Sequence, residues 1–400
     1  MKINFSLLFF ILIFFLTNLM VHAQGELDEK ATTFKFKGLQ YATNDSSFYI
    51  NFRFRMQNRV GLYTNSANDF GINQIEARVR RLRMRFDGFI INKKLTYSIQ
   101  LSFARADTDF ENSGFVNIVR DAVLFYHFTP KFYVAFGQSK LPGNRQRVNS
   151  SGQLQFADRS IANSTFNIDR DFGIKVYYTE QLGNIGLNIK GAVSTGEGRS
   201  VNFTNNGLAY TGRIEILPLG QFTNNGDYSE GDLEREPKPK ISIAGGYCYN
   251  HKAERTAGQL GKELYEARNF GTLLTDFIFK YKGWAYAAEY MKRYTDNPFT
   301  FNSTGSVRYI YKGQGTNHQL SYLFKKNYEL AARYSFLKPD KALSILEKQQ
   351  DVVELGATKY FNKHRIKLQW SVFYNVKDGN YSTANPNNNW GTLMQIELGI

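Results

Sequence analysis

ARVRRLRMRFDGFI, residues 77–90, sets five arginines within the eight positions from Arg78 to Arg85. From Arg81 onward it alternates strictly. Arg81, Arg83, Arg85 and Asp87 share one parity, and Leu82, Met84, Phe86 and Gly88 share the other. Successive side chains of a strand point to opposite faces, so the segment predicts a strand with one charged ladder and one apolar face. Which solvent each face meets decides the fold.

The chain opens with MKINFSLLFFILIFFLTNLMVHA, in which Lys2 precedes an apolar run that ends at Val21-His22-Ala23. That pattern predicts a signal peptide over residues 1–23, cleaved before Gln24; the alternative is an uncleaved anchor. There is no lipobox cysteine. A polar arm follows over residues 24–45, either adding a short strand or sitting in the mouth of the next domain, which runs over 46–400. After Ala23 no stretch approaches the roughly 20 apolar residues of a spanning helix. Aromatics nevertheless make up 16% of the chain, prolines number only 8, and the formal charge is +15. The single cysteine, Cys248, excludes an intrachain disulfide framework.

The two-residue period recurs along the chain. Phe48, Ile50, Phe52, Phe54 and Met56 oppose Asn51, Arg53, Arg55, Gln57 and Arg59; Leu95, Tyr97, Ile99 and Leu101 oppose Thr96, Ser98 and Gln100. Phe172 to Tyr178, Ile185 to Ile189, Ile366 to Val372 and Met394 to Ile400 repeat it. Dyad repeats in segments of about ten residues mark a transmembrane antiparallel β-barrel, and about 16 such strands are expected. A soluble β-sandwich would require shorter, more turn-rich strands. Short links at Asn92-Lys93-Lys94, Thr129-Pro130, Lys282-Gly283, Lys326-Asn327 and Asn362-Lys363 alternate with long loops at 64–74, 139–170, 251–271, 294–316, 338–349 and 375–389. Barrels with short periplasmic turns and long external loops keep both termini in the periplasm. Residues 218–239 break the pattern, being long where a short turn belongs, so either a strand is miscounted or the segment is a periplasmic excursion.

Arginine facing lipid at mid-membrane costs about 2–4 kcal/mol each. Arg81, Arg83 and Arg85 must therefore face the lumen, and Arg53, Arg55 and Arg59 of the preceding strand adjoin them. Clustered cations on a pore wall concentrate anions; alternatively, they pair with Asp87, Glu76 and neighbouring acids and only shape the field. The third long loop carries GQSKLPGNRQRVNSSGQLQFADRS, residues 137–160. A loop of this length is expected to fold inward and set the constriction, with Lys140, Arg145 and Arg147 contacting anions beside Arg159 and with Ser150 and Ser151 as hydroxyl donors. Asp158 is the expected partner of Arg159, and Asp169-Arg170-Asp171 the expected pin to the wall.

RRLRMRFDG, TYSIQLSF, DAVLFYHFTPKFYVAFGQSKLP and FADRS together resemble the phosphate-selective porin O and P family, in the form common in Bacteroidetes-type outer membranes. GRIEILPLG at 212–220 and PKISIAGGYCYN at 239–250 fit as well. The resemblance implies a sixteen-stranded homotrimeric barrel with an arginine ladder leading to a constriction. On it Arg81, Arg83 and Arg85 fall on the basic strand, and Lys140 and Arg159 fall in the loop motif. Ile400 stands where the family usually ends in an aromatic residue.

Other chemistries find little support. His127, His251, His318 and His364 are scattered, without the serine and amide a hydrolase would need, so no enzyme is expected, nor any cofactor. No paired Cys/His metal spacing occurs. The acidic run Asp227, Glu230, Asp232, Glu234 and Glu236 lacks ordered calcium-ligand spacing and reads as solvated. An exported chain with inward arginines does not suggest nucleic acid. The reading is an outer-membrane porin whose partners are membrane lipid, small anions such as phosphate, and copies of itself. A general or organic-solute porin, or a structural barrel without an open pore, are the alternatives.

Overall fold

The computed structural model describes residues 39–43, 47–108, 116–202 and 204–400; the expected signal peptide and most of the polar arm lie outside the described residues. The strands are β1 (Leu39–Ala42), β2 (Phe48–Thr64), β3 (Ile72–Ile90), β4 (Asn92–Ser102), β5 (Val119–His127), β6 (Phe132–Lys140), β7 (Arg170–Leu182), β8 (Ile185–Ser194) and β9 (Ala209–Leu217). There follow β10 (Lys240–Arg255), β11 (Glu263–Tyr281), β12 (Trp284–Tyr294), β13 (Phe299–Phe301), β14 (Val307–Tyr309), β15 (Gly313–Leu323), β16 (Tyr328–Pro339), β17 (Gln350–Asn362), β18 (Ile366–Lys377) and β19 (Asn389–Gly399). Among the described residues, β2–β12 and β15–β19 pair antiparallel in chain order, and β19 pairs back onto β2 from Gly391↔Tyr63 to Gly399↔Arg55. The sixteen strands thus close into a barrel without a free edge. Beyond Ile400, which exchanges backbone hydrogen bonds with Phe54, β1 takes over the same edge of β2, from Leu39↔Phe52 to Ala42↔Tyr49.

Alternation places the apolar set outside. Phe136, Ile174, Ile214, Leu330, Leu355 and Ile396 are all at least half exposed on their strands, whereas their polar neighbours Lys175, Glu215, Glu329, Glu354, Gln395 and Glu397 are buried. This is the reverse of a soluble core, and the barrel interior is the polar compartment. Tight turns close the end at which β2 starts and β19 finishes, the terminus end of the barrel strands. At Lys282-Gly283 both residues have positive φ, 46° and 94°, the backbone twist that two-residue hairpins favour.

Three boundaries differ from expectation. The expected loop 251–271 shrinks to residues 256–262, because β10 and β11 run on to Arg255 and from Glu263. Their outer ends carry register shifts at Asn250/Ala253 and Ala253/Arg255, and such irregularities break the two-residue period. The first turn is at Ile91 (φ 69°) instead of 92–94. No strand is miscounted near 218–239: the segment joins β9 to β10 at the terminus end, and it is not solvated. Asp227, Asp232 and Glu236 are almost fully buried. Lys280 donates to the carbonyls of Gly226, Ser229 and Gly231, and Asp232 accepts from the Gly283 and Glu236 amides. Buried backbone needs such partners, and the carboxylates supply them.

Candidate functional site

The opening stretch lies on β3, and its register explains the arginine row. Gln57 pairs with Arg81 and Asn58 with Val79, so Arg80 is an extra residue, a β-bulge. A bulge shifts the phase of alternation by one. Glu76, Arg78 and Arg80 therefore face inward above it and Arg81, Arg83 and Arg85 below it. All five arginines of the stretch share the lumen face, which period-two reading from Arg81 alone does not reveal.

The β6–β7 connection holds two short helices, α1 (Arg145–Val148) and α2 (Ile161–Phe166). It contacts inward side chains of strands all round the barrel. Ser151 Oγ accepts from Arg55 Nη2 at 2.7 Å and from Arg83 Nη1 at 2.9 Å, so the serine ties the two ladders together. Lys367 Nζ donates to Gly152 O and Leu154 O, and Thr358 Oγ1 to Gln155 O. A Cβ at Gly152 would lie 2.3 Å from Arg55 Nη1 and 2.7 Å from Glu397 Oε1, so a larger residue would have to displace both side-chain ends. α2, N-capped by Ser160, sits in an apolar cluster with Leu274, Met291 and Leu337. From the other end, the 218–239 segment meets this connection: Glu230 N donates to Gln153 O, and its carboxylate accepts from Gln146, Gln319 and the Gln155 amide.

Open space runs along β3–β9. A cavity of about 190 Å³ is lined by Arg80, Arg81, Arg83, Arg120, Lys140, Arg147, Arg159, Arg170 and Arg199, against two carboxylates, Asp107 and Asp169. Arg83, Lys140 and Arg170 also line a second cavity of about 900 Å³. That larger space continues past Arg85 and Ser98 to Lys131, Thr179 and Gln181 at the terminus end.

Ion pairs organise much of this charge. Arg83 Nε lies 2.6 Å from Asp107, and Arg170 Nε 2.7 Å from Asp121. Asp158 does not pair with Arg159 as expected; it takes Arg59 at 2.5 Å, Arg80 at 3.0 Å and Arg81 at 3.6 Å. Burial would raise its carboxyl, but Arg80 and Arg59 hold it well below the usual range. Asp169 binds Arg147 and Arg170 and is likewise held low against burial. Asp171 pins the β8–β9 connection through Thr195, Gly196 and Gly198. Lys140 and Arg159 are different: each donates only to backbone carbonyls, Val148 and Asn149 for the lysine, Gln146 and Asn149 for the arginine. Burial and then the nearby Arg147 push the Arg159 guanidinium down, a penalty that a bound anion would relieve.

Of the ten residues singled out from sequence, Arg81, Arg83, Lys140, Arg147 and Arg159 share the basic cavity, and Arg85 lines the larger one. Arg53 pairs with Asp87 and stays partly exposed; Arg55 and Arg59 are taken up by Ser151 and Asp158. Arg145 needs correction. It is buried among Asp276 (3.1 Å), Asp227 (3.4 Å) and Glu215 (3.4 Å), above the Tyr228 ring, so its charge is matched and it anchors the connection. Sequence reasoning missed Arg80, Arg120 and Arg199. The adjacent pair Arg80-Arg81 was the available signal for the first.

Residues 50–398 match the family described as phosphate-selective porin O and P. An uncharacterized protein of Aquifex aeolicus is 24% identical over 333 residues, 77% of this chain and 76% of that one. Among solved structures, OmpF of Salmonella typhi in complex with daunomycin superposes with a TM-score of 0.57 at 15% identity, covering 90% of this chain and 100% of that one. An anion-selective porin from Comamonas acidovorans gives 0.53 at 11%, covering 88% and 100%.

Proposed function

Because the chain belongs to the phosphate-selective porin O and P family and is an outer-membrane β-barrel, we propose that it forms a water-filled, anion-selective channel for passive diffusion of phosphate and related small oxyanions. The observation that carries this reading is the basic cavity: nine cationic side chains against two carboxylates, with Lys140 and Arg159 free of carboxylate partners among the described residues. Solute passes between the arginine strand and the β6–β7 connection, which narrows the pore, and then through the larger cavity toward the terminus end. Guanidinium groups match the planar fork of phosphate and carboxylate oxygens. The terminus end faces the periplasm, and three copies assemble through their apolar walls.

One observation favours a general diffusion porin instead: most of the wall arginines already have carboxylate partners, which leaves a balanced field. Planar-bilayer recordings in a potassium chloride gradient separate the readings. A reversal potential of anionic sign, with chloride current reduced by millimolar inorganic phosphate, supports the proposal. Weak or cationic selectivity supports the general porin, and absence of conductance a structural barrel.

A further inference from the structure

On the opposite wall, at the long-loop end, lies a cavity of about 520 Å³ that shares no lining residue with the two cavities of the pathway. Its inner wall is Arg293 on β12, which is 1% exposed. The guanidinium lies over two aromatic rings, Phe166 of α2 at 5.5 Å and Phe270 of β11 at 5.1 Å. Its Nε donates to Thr272 Oγ1 at 3.1 Å, while its Nη2 has no partner. Tyr311, which packs edge-on against Phe166, also has a buried Oη without a partner. The one carboxylate on the lining, Glu347, accepts from Tyr309 at 2.6 Å. Toward the barrel centre the cavity ends on the apolar cluster around Phe166, Leu274 and Met291, so it offers no route through.

Buried charges are ordinarily paired, because an unpaired ion in a dry site is heavily penalised. Here two aromatic rings lie against the guanidinium, and its unpartnered Nη2 is the donor that remains. The cavity volume falls in the range of about 300–1,000 Å³ that small-molecule sites occupy. Tyr265, with Arg308 stacked at 4.4 Å, supplies a flat wall.

We propose that this blind cavity binds a small organic oxyanion carried on a ring, its oxygens on Arg293 Nη2 and Tyr311 Oη and its ring against Tyr265. The site is independent of the conduction pathway and of its selectivity.

Calorimetry on the purified full-length protein in detergent, with phenyl phosphate and benzoate as probes and inorganic phosphate as control, tests it. Saturable binding of a ring-bearing probe at one site per chain is expected. Arg293→Met should weaken it at least about tenfold, the usual weight of a charge-assisted hydrogen bond, and Tyr311→Phe should weaken it severalfold. Arg293→Lys should recover part of the loss, and bilayer selectivity should not change in any of the three. Absence of saturable binding, or affinity undiminished in both Arg293→Met and Tyr311→Phe, overturns the assignment. Inorganic phosphate binding as tightly as phenyl phosphate overturns the ring requirement. Tyr311→Phe keeps the test decisive if the arginine variants do not fold.

Discussion

Lys140 and Arg159 together offer the sharpest test of the pathway, because neither has a carboxylate to leave behind. Changing both to glutamine removes two positive charges while keeping a donor for the carbonyls each now serves. The basic cavity, about 190 Å³, has the volume of a sphere roughly 3.6 Å in radius, so a centred anion lies on the order of 5 Å from the charged nitrogens around it. In pore water each unit charge at that distance is worth about 0.8 kcal/mol, and screening at 0.1 M salt lowers this to about 0.5 kcal/mol. The two together contribute about 1 kcal/mol. Anion occupancy should then fall roughly fivefold and cation occupancy rise by the same factor.

At 1 M salt the screening length is about 3 Å, and the change should shrink to less than about twofold. Reversal potentials across planar bilayers, recorded at both ionic strengths, measure this directly. A double variant that inserts normally and matches the parent in dilute chloride would refute the reasoning, since the charges would then lie off the ion's path. An equal effect at both ionic strengths would point to a change of pore shape instead of field.

Arg145→Met should leave Asp227 without its cation, Glu215 and Asp276 keeping Arg213, and cost about 3–5 kcal/mol, seen as a lower temperature of the folded-to-unfolded band shift on electrophoresis; an unchanged temperature would deny the anchor. Replacing residues 221–236 by a short turn should raise single-channel conductance, and an unchanged conductance would mean that the segment lies outside the path. In a Cys248→Ser background, Asn380→Cys should react with an impermeant maleimide on intact cells and Asn327→Cys should not; the reverse pattern inverts the sidedness. Burial raises the Glu197 carboxyl, in the β8–β9 connection, from 4.5 to about 7, so in that window the folded chain keeps a proton the unfolded chain has lost, and stability falls as pH rises. Glu197→Gln should flatten this slope, worth about 2–3 kcal/mol between pH 4.5 and 8, in denaturation midpoints taken at both values.

The sixteen strands were legible because lipid outside and water inside impose opposite requirements on alternate residues. Ile174, Val176 and Tyr178 read as a lipid face with no knowledge of their neighbours. That signal is lost where the register of a pair slips, which is why the outer ends of β10 and β11 read as loop. It also switches phase at a bulge, and Arg80 beside Arg81 is the visible trace of one. Partner choice inside the lumen was not legible. Asp158 precedes Arg159 in sequence, yet it binds Arg59, Arg80 and Arg81, since a closed barrel brings β2 and β3 to the loop from a direction that chain distance does not encode. The acidic run at 227–236 read as solvated for a related reason, its partners lying in the β6–β7 connection, in distant turns and within the segment itself.

The distribution of charge and the filling of the barrel have one physical origin. Sixteen strands enclose more space than wall side chains can fill, and two polar segments bond to the inward side chains here, the β6–β7 connection and residues 218–239. Polar backbone in a closed space must find partners. The partners on the filled side are largely carboxylates and amides: Glu230 for three donors, Asp232 for two amides, and Asp276 with Glu215 for Arg145 and Arg213. Acids committed to that side cannot neutralise the other. A chain with a formal charge of +15 then gathers excess cations around the basic cavity on the unfilled wall, where Lys140 and Arg159 have no carboxylate partner among the described residues. Substitutions on the filled side should accordingly read out as stability and those on the open side as selectivity, because burial governs the first environment and screened water the second.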